Sequence, residues 1–383
     1  MKIVYAVADS GCAYWRAKQP CKMIKKKGLA ETQIFQPLMI ESEMQNMLAW
    51  GDVVFLQSPM GVDMVATVAR LKKDGKAVIA DYDDLSFSLS PFNPAYKTLG
   101  QQEVIIEHEG KKDYVWKDGR DVFSIKANYL RYRSLQDLLG MFSLVTTTGK
   151  FIKDKYSEFA REISIVPNSI DFDLFKPFPK EETGQIRIGW TPSDSHYVEI
   201  WMIKRIMRKI FKKYGNKVKF VVLGNLIELG MEFNKEEMER YDFIGLDTYP
   251  LKLASLNLDI GLCPLDKTDF NRAKSPLKWS EYSAMKVPSI VSKLEPYNCV
   301  VDYETGLIAD DEEEFYNKLC ELIDNAELRN KITANAFDKN YEDYNLDKNI
   351  LLWMDAYERA YDYKDELPIL KEGDLVKEAS HAT

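Results

Sequence analysis

Short apolar runs alternate with longer amphipathic segments along the first half of the chain. The runs are rich in Val, Ile and Phe and have the length of strands buried on both faces of a sheet. They lie at residues 3–8, 53–56, 77–80, 144–148 and 163–166. The segments between them have helical spacing, at residues 14–27, 62–73, 122–139 and 150–160. This order of strand, helix and strand predicts a doubly wound α/β lobe.

The alternation stops at residues 175–184, where two prolines, mixed charge and a glycine indicate an exposed connection. It then restarts, with predicted strands at residues 186–190, 220–223, 243–244, 260–262, 289–291 and 307–309. We therefore expect an N-terminal lobe (1–174), a linker (175–184) and a C-terminal lobe (185–344). An amphipathic helix (345–365) is expected to pack back toward the N-terminal lobe, and a polar tail (366–383) follows it. The prediction is an α/β protein of two Rossmann-like lobes that face each other across a cleft.

Composition favours a packed globular protein, because 45% of the 383 residues are hydrophobic and 12% are aromatic. The net charge is −8 and is unevenly distributed. Residues 1–180 carry 25 basic and 22 acidic side chains, and the remainder carry 27 and 38. An acidic chain argues against a general nucleic-acid binder, which needs a concentrated basic face.

Cysteine and histidine content argue against a disulfide framework or a zinc site. The five cysteines are scattered and include no Cys-x-x-Cys pair, and there are three histidines. The sequence has no apolar run of transmembrane length, and the first apolar run is too short for a signal peptide. We expect a cytoplasmic protein, in the host cytoplasm if it is phage-encoded.

The segment Val166-Pro167-Asn168-Ser169-Ile170-Asp171 leaves a predicted strand through a turn, which Pro and Asn both favour. It resembles the Pro-Asn-Gly-Ile-Asp linker signature of family 4 glycosyltransferases of the GT-B fold.

A second segment, residues 271–291, resembles the donor-site loop, helix and strand of the same family. The resemblance implies that Glu281 accepts hydrogen bonds from the donor ribose hydroxyls, a role that suits a carboxylate. Lys274 and Lys278, one helical turn apart, are implied to meet the diphosphate, with Ser275 and Asn271 among the donor contacts. The first of the family's usual two glutamates falls on Ala273, so the sugar-contacting half of the motif is altered.

A third segment, residues 188–196, resembles the Gly-x-x-Gly-x-x-His variant of the family and is expected beside the diphosphate and sugar. Ser193 and Ser195 can donate hydrogen bonds to phosphate oxygens. His196 is a candidate for catalysis or ligand contact, with a structural role as the alternative.

The N-terminal segment 9–16 resembles the Gly-Cys-Gly-Tyr-Tyr-Arg opening of the phage-type relatives. This resemblance places Gly11 near the donor, Tyr14 near the acceptor and Arg16 toward phosphate, although a surface arginine is the alternative. The acidic group Asp81, Asp83 and Asp84 resembles another motif of those relatives, for which we expect acceptor contact rather than metal binding. Residues 86–116 show no clear period and are expected to form a loop-like insertion at the acceptor pocket.

Taken together, the resemblance implies a retaining hexosyl- or pentosyltransferase that uses a nucleotide sugar, UDP- or GDP-linked, without an essential metal. Lys274, Lys278, His196 and Arg16 are the expected catalytic residues. The acceptor is a saccharide, a protein or modified DNA. Two alternatives stay open: a phage-type enzyme acting on a hydroxymethylated base in DNA, and a non-catalytic sugar-nucleotide or glycan-binding protein.

Overall fold

The apolar runs form two parallel six-stranded sheets, one in each half of the chain. The computed structural model describes residues 1–7, 11–36, 39–108, 110–193, 196–224 and 233–366. The predicted fold class, α/β with two lobes, is confirmed. The predicted polar tail lies outside the described residues from position 367 onward.

The N-terminal half contains a parallel sheet and a separate hairpin. Its strands are β1 Lys2–Ala6, β2 Glu31–Ile34, β3 Val53–Gln57, β4 Ala77–Tyr82, β5 Val104–His108, β6 Lys111–Trp116, β7 Leu144–Thr147 and β8 Ile163–Ile165. The sheet order is β2-β1-β3-β4-β7-β8, and β5 pairs with β6 in an antiparallel hairpin. The helical segments are Gly11–Ala13, the π-helical turn Tyr14–Lys18, Gln19–Lys27, Glu41–Trp50, Val62–Lys73, Tyr96–Leu99, Ile125–Met141 and Lys150–Tyr156.

The C-terminal half contains strands β9 Ile186–Trp190, β10 Val218–Leu223, β11 Met238–Tyr241, β12 Ile260–Cys263, β13 Ser289–Ser292 and β14 Leu307–Ala309. Their order is β11-β10-β9-β12-β13-β14, which is the Rossmann order. The helices are Glu199–Tyr214, Tyr249–Ser255, Asp269–Arg272, Leu277–Ala284, Glu312–Asp324, Ala326–Asp343 and Leu346–Asp362, with 3-10 turns at Gly215–Lys217 and Glu295–Tyr297.

The last helix, Leu346–Asp362, packs on the N-terminal sheet. Alternate residues of a strand point to opposite faces of its sheet, so Tyr5 and Val4 belong to different apolar clusters. Trp353 and Tyr357 of this C-terminal helix join the cluster of Tyr5, and the Tyr357 hydroxyl donates to the Tyr5 hydroxyl over 2.9 Å. This helix therefore covers part of one face of the N-terminal sheet, beside the helix Gln19–Lys27.

Two sequence predictions about local structure are wrong. A strand was expected at residues 243–244, but the strand in this region is β11, which ends at Tyr241. It lies at the edge of the sheet and has few buried side chains, so its apolar pattern in the sequence is weak. The insertion at residues 86–116 is not loop-like throughout, because it contains a short helix and the β5–β6 hairpin.

Within the described residues, no helix has both the length and the apolar character that spanning a membrane requires.

Candidate active site

The candidate site lies at the carboxyl ends of β9 and β12, which are neighbours in the C-terminal sheet. At such a switch in strand order, the connections leave toward opposite faces of the sheet and a crevice remains between them. A cavity of about 300 Å³, here called the cleft cavity, occupies this crevice. It is lined by Gly11, Cys12, Trp15, Asp83, Asp84, Asn168, Thr191, Pro192, Ser193, His196, Leu223, Phe243, Leu246, Tyr249, Leu265, Lys274, Ser275, Leu277, Lys278, Glu281 and Tyr297.

The helix Leu277–Ala284, here called the donor helix, presents one side to this cavity. Trp279 and Tyr282 anchor its other side in the core, where the Trp279 indole N–H donates to the carbonyl of Thr305 over 2.8 Å. Residues spaced by three or four positions share a helix face, so Lys278 and Glu281 point together into the cavity.

Glu281 is a buried carboxylate, and within the described ranges one hydrogen-bond partner, Tyr249, fixes its position. The Tyr249 hydroxyl donates to Glu281 Oε2 over 3.0 Å, and Glu281 is 5% exposed. Burial raises the pKa of Glu281 to about 7, against the opposing effects of the Lys278 charge and the Tyr249 hydrogen bond. The carboxylate is thus held in place, with acceptor capacity left for a ligand hydroxyl.

Two ammonium groups lie beside Glu281. Lys278 Nζ donates to the carbonyl of Thr191 over 2.7 Å, which ties the donor helix to the loop after β9. Burial lowers the pKa of Lys278, and it lowers the pKa of Lys274 to about 8 against the charges of Glu199 and Asp84. Two partly desolvated cations at one wall of a cavity form a favourable environment for a polyanion.

His196 lines the same wall and is buried. Its pKa is well below the ordinary value because of burial and the nearby charges of Lys274 and Lys278. Its Nδ1 lies 3.7 Å from Glu199 Oε2, and neither atom has a hydrogen-bond partner among the described residues. At neutral pH the imidazole is uncharged, so it can act as a hydrogen-bonding group but adds no positive charge.

Glu199 is a buried carboxylate that the sequence analysis missed. Its Oε1 accepts from the Asn271 side-chain amide over 2.7 Å and from the Asp266 backbone N–H over 3.0 Å. Asn271 does not line the cleft cavity, so its predicted donor contact is corrected to an internal one that holds Glu199. In the sequence, Glu199 is a single acidic residue at the start of an amphipathic helix, which does not distinguish it from a solvent-exposed glutamate.

Asp83 and Asp84 also line the cavity and are here called its acidic wall. Burial and the neighbouring carboxylates raise the pKa of Asp83 to about 7, and burial raises the pKa of Asp84. Cys12 Sγ and a carboxylate oxygen of each aspartate lie within 4.8 Å of one another, a separation that one metal ion could bridge. We predicted an activity that needs no metal, and these three side chains are the place where that prediction can be tested.

Arg16 and Asp81 are fully buried and do not line the cavity, which corrects both assignments. Arg16 Nε and Nη2 donate to the Asp81 carboxylate at 3.0 and 2.7 Å, and Nη1 donates to the carbonyl of Val166 over 2.6 Å. The guanidinium also stacks on Trp353 of the C-terminal helix, 4.6 Å from the ring centroid. Its donors are used inside the protein, so Arg16 holds the N-terminal lobe together rather than contacting phosphate.

Tyr14 was expected near the acceptor, but it is 3% exposed and packs in the core, not on the cavity.

Ala273 explains how the altered donor motif is accommodated. It is 2% exposed and packs in the apolar cluster of the N-terminal lobe, together with Leu85 and Tyr156. A glutamate here would place a carboxylate against apolar side chains of the opposite lobe, which is unfavourable without a partner. The alanine therefore contributes to the contact between the lobes.

The structure brings most of the predicted site residues to one cavity. Those that line it are Gly11, Asp83, Asp84, Ser193, His196, Lys274, Ser275, Lys278 and Glu281. Ser195 lies outside the described residues. Thr191, Phe243 and Tyr249 also line the cavity and were missed, because single side chains in separate loops carry no periodic signal.

No family model matches the chain, and no curated protein matches its sequence. Solved structures are similar over nearly the whole length. Sucrose-phosphate synthase (tll1590) from Thermosynechococcus elongatus has 11% identity and a TM-score of 0.67, covering 94% of this chain and 100% of its own. A glycosyltransferase from Rickettsia africae ESF-5 has 11% identity and a TM-score of 0.61, covering 94% and 98%.

A third similar structure is Anabaena Alr3699/HepE in complex with UDP and glucose. It has 13% identity and a TM-score of 0.58, and the match covers 93% of this chain and 98% of that one. At such identities the likeness shows the fold alone. The chain therefore has the two-lobed GT-B fold, as expected from the sequence.

Proposed function

We propose that this protein is a glycosyltransferase that takes a sugar from a nucleotide-sugar donor bound in the cleft cavity. The observation that carries the proposal is the convergence of Glu281, Lys274 and Lys278 on one cavity at the switch point of a Rossmann-ordered sheet. Dinucleotides and nucleotides bind at such points in doubly wound sheets. A glycosyltransferase of similar fold, and a second similar structure solved with UDP and glucose, support the same function.

In this proposal, Glu281 accepts hydrogen bonds from the ribose hydroxyls and the lysines contact the diphosphate. The tyrosine that fixes Glu281 limits its rotation, so little ordering is needed when the donor binds. Ser275 and Ser193 line the same cavity and supply hydroxyl donors for phosphate oxygens. The donor is UDP- or GDP-linked, and UDP is the first nucleotide to test.

The reaction forms a bond between an acceptor oxygen and the anomeric carbon of the sugar. The bond from that carbon to the diphosphate breaks, and its electron pair leaves with the diphosphate. The acceptor proton passes to a basic oxygen, either of the leaving diphosphate or of Asp83. Lys274 stabilises the charge that develops on the leaving group, and departure and attack on the same sugar face give retention.

The acceptor faces the acidic wall formed by Asp83 and Asp84. Modified DNA is a less favoured acceptor, because several cations of the two basic segments, residues 22–27 and 204–219, are paired with carboxylates. The pairs are Lys22–Asp247, Lys26–Asp173, Lys27–Asp347, Arg205–Glu312, Lys209–Glu312 and Lys213–Asp324. Phosphate contacts would have to compete with these ion pairs.

A thermal-shift panel of nucleotide sugars tests the proposal. A ligand that binds the folded state raises the melting temperature according to its affinity and concentration. We expect one nucleotide sugar to stabilise the wild-type protein and to lose this effect in Glu281→Gln. No response to any UDP- or GDP-sugar, together with no release of nucleoside diphosphate, would overturn the proposal.

A further inference from the structure

Two connections flank the cleft cavity at the switch in strand order, one after β9 and one after β12. The first leads through His196 into the helix that begins at Glu199. The second, residues 264–276 and here called the lysine loop, carries Lys274. Glu199 is 3% exposed and does not line the cavity, so it can act on the site only through its neighbours.

The Glu199 carboxylate ties these two connections together. Its Oε1 accepts from the backbone N–H of Asp266 over 3.0 Å and from the side-chain amide of Asn271 over 2.7 Å. The backbone carbonyl of Asn271 in turn accepts from the backbone N–H of Lys274 over 3.2 Å. The lysine loop is thus held at two points by a residue from the other connection, and the second point is joined directly to Lys274.

The charge of Glu199 is not neutralised by its immediate partners. Both donors to Oε1 are uncharged amides, and Oε2 faces Nδ1 of the uncharged His196 at 3.7 Å without a hydrogen bond. Among the residues that the structure describes, no lysine or arginine forms an ion pair with Glu199. A buried charge of this kind acts strongly on other charges nearby, and here those are Lys274 and Lys278.

Lys274 is the group most sensitive to that charge. Burial lowers the pKa of Lys274 to about 8, and the charge of Lys278 acts in the same direction. Glu199, Asp84 and Cys12 oppose this lowering, and Glu199 has the largest effect of the three. Removal of the Glu199 charge would lower the pKa of Lys274 further, so the lysine would lose its own charge at a lower pH.

We infer that Glu199 is a positioning residue of this site: it fastens the lysine loop and supplies the negative charge that keeps Lys274 protonated. The inference rests on the proposed function, in which Lys274 stabilises the leaving diphosphate. A carboxylate in contact with the diphosphate would repel it, whereas one outside the cavity keeps the lysine charged and leaves the ligand side of the wall cationic.

Glu199→Gln separates the charge from the tie, because the amide oxygen can still accept from Asp266 and Asn271, and the amide nitrogen can donate to Nδ1 of His196. We expect kcat to fall about 3-fold more at about pH 8 than at about pH 7, since Lys274 then loses its charge at a lower pH. The donor KM at about pH 7 should change by less than about 2-fold. A residue that only supported the fold would lower kcat equally at both pH values.

Competitive acetylation of the full chain by acetic anhydride measures the same charge without any donor. Only the uncharged amine reacts, so mass spectrometry of the Lys274 peptide across a pH series reports its protonation. We expect Lys274 to become reactive at a lower pH in Glu199→Gln than in wild type, with Lys293, 68% exposed, as the internal reference. Glu313→Gln, which alters an exposed carboxylate in the first turn of another helix, is the matched control and should behave as wild type.

Asn271→Ala tests the tie, because it removes the link to Lys274 but keeps the carboxylate. It should lower kcat by about 10-fold, since a displaced charge acts less well on the leaving group. This variant carries the test if Glu199→Gln does not fold.

The outcomes separate this inference from the proposed function. Identical acetylation profiles of Lys274 in wild type and Glu199→Gln, or a wild-type kcat in Asn271→Ala, would overturn the inference and leave donor binding untouched. If the acetylation profile shifts as expected but no nucleotide sugar binds and no nucleoside diphosphate is released, the proposed function fails and the dependence of Lys274 on Glu199 stands.

Discussion

The side-chain amide of Asn168 donates a 2.9 Å hydrogen bond to the hydroxyl of Ser275. The two residues belong to different lobes: Asn168 follows the last strand of the N-terminal sheet, and Ser275 precedes the donor helix. Asn168 also accepts from Arg16 over 3.1 Å. A continuous set of hydrogen bonds thus runs from the N-terminal core to the cleft cavity, and it predicts how substitutions inside that core will act.

Arg16→Met is expected to destabilise the protein strongly. It leaves the Asp81 carboxylate fully buried without its cation, and breaking one side of a buried ion pair costs about 3–5 kcal/mol. Urea unfolding measures the loss, and Arg16→Met with Asp81→Leu should recover most of it because no charge is then left unpaired. A single variant as stable as wild type would contradict the role assigned to Arg16.

Glu281→Gln is expected to raise the donor KM by about 10- to 100-fold, corresponding to the loss of a hydrogen bond to a charged group worth about 1.5–3 kcal/mol. The amide keeps the shape of the side chain and can still interact with Tyr249. Initial rates at varied donor concentration give the change, and Glu295→Gln, outside the cleft cavity, is the matched control. Equal KM values for both variants would remove Glu281 from the donor site.

Lys274→Ala is expected to lower kcat by about 100-fold, since one preorganised charge that stabilises a leaving group contributes on this scale. Lys293→Ala removes a lysine whose side chain is 68% exposed and should leave kcat unchanged. Single-turnover release of nucleoside diphosphate checks the result. A change confined to KM would instead assign Lys274 to ground-state binding.

The pH dependence of kcat/KM should have a maximum between about 7 and 8. Glu281, with its pKa raised to about 7, becomes ionised as the pH rises through that value. Lys274, with its pKa lowered to about 8, loses its charge as the pH rises further. Lys274→Arg should extend activity to higher pH. An acidic limb that disappears in Asp83→Asn but persists in Glu281→Gln would assign that limb to Asp83 instead, because its pKa is also raised to about 7.

Removal of metal should leave the activity unchanged. Dialysis against EDTA, followed by assays with and without Mg²⁺ or Mn²⁺, measures this directly. The control is Cys12→Ser, which weakens the one group of His, Cys, Asp and Glu side chains in the described residues that could hold an ion. Activity that is lost with EDTA, restored by Mn²⁺ and reduced in the variant would make the acidic wall a metal site.

The sequence predicted the fold better than it predicted individual contacts. Buried central strands such as Val53–Gln57 carry continuous apolar runs, so their positions were found. Strand Glu31–Ile34 was missed because it lies at a sheet edge and is only partly buried. The motif likewise placed Lys278 and Glu281 on one helix, but Lys274, expected one helical turn before Lys278, lies in the loop that precedes this helix.

Apolar periodicity and motif position could not predict that the side chain of Arg16 points into the core. An arginine on a helix is usually exposed, and only the three-dimensional approach of Asp81, 65 positions later, makes burial possible. The same holds for Glu199, whose partners Asp266 and Asn271 lie 67 and 72 positions later in the sequence. Long-range pairing of charges has no local signature in a single sequence.

The position of the C-terminal helix has a consequence for how the protein is made. Strand Ile163–Ile165 completes the N-terminal sheet, but the helix that covers it begins only at Leu346. At about 5–20 residues per second, the ribosome needs roughly 10–40 seconds to add the intervening stretch. During that interval the face around Tyr5 can pack against the helix Gln19–Lys27 but lacks Trp353 and Tyr357. Chaperone engagement and premature termination therefore matter most for this lobe, although it is synthesised first.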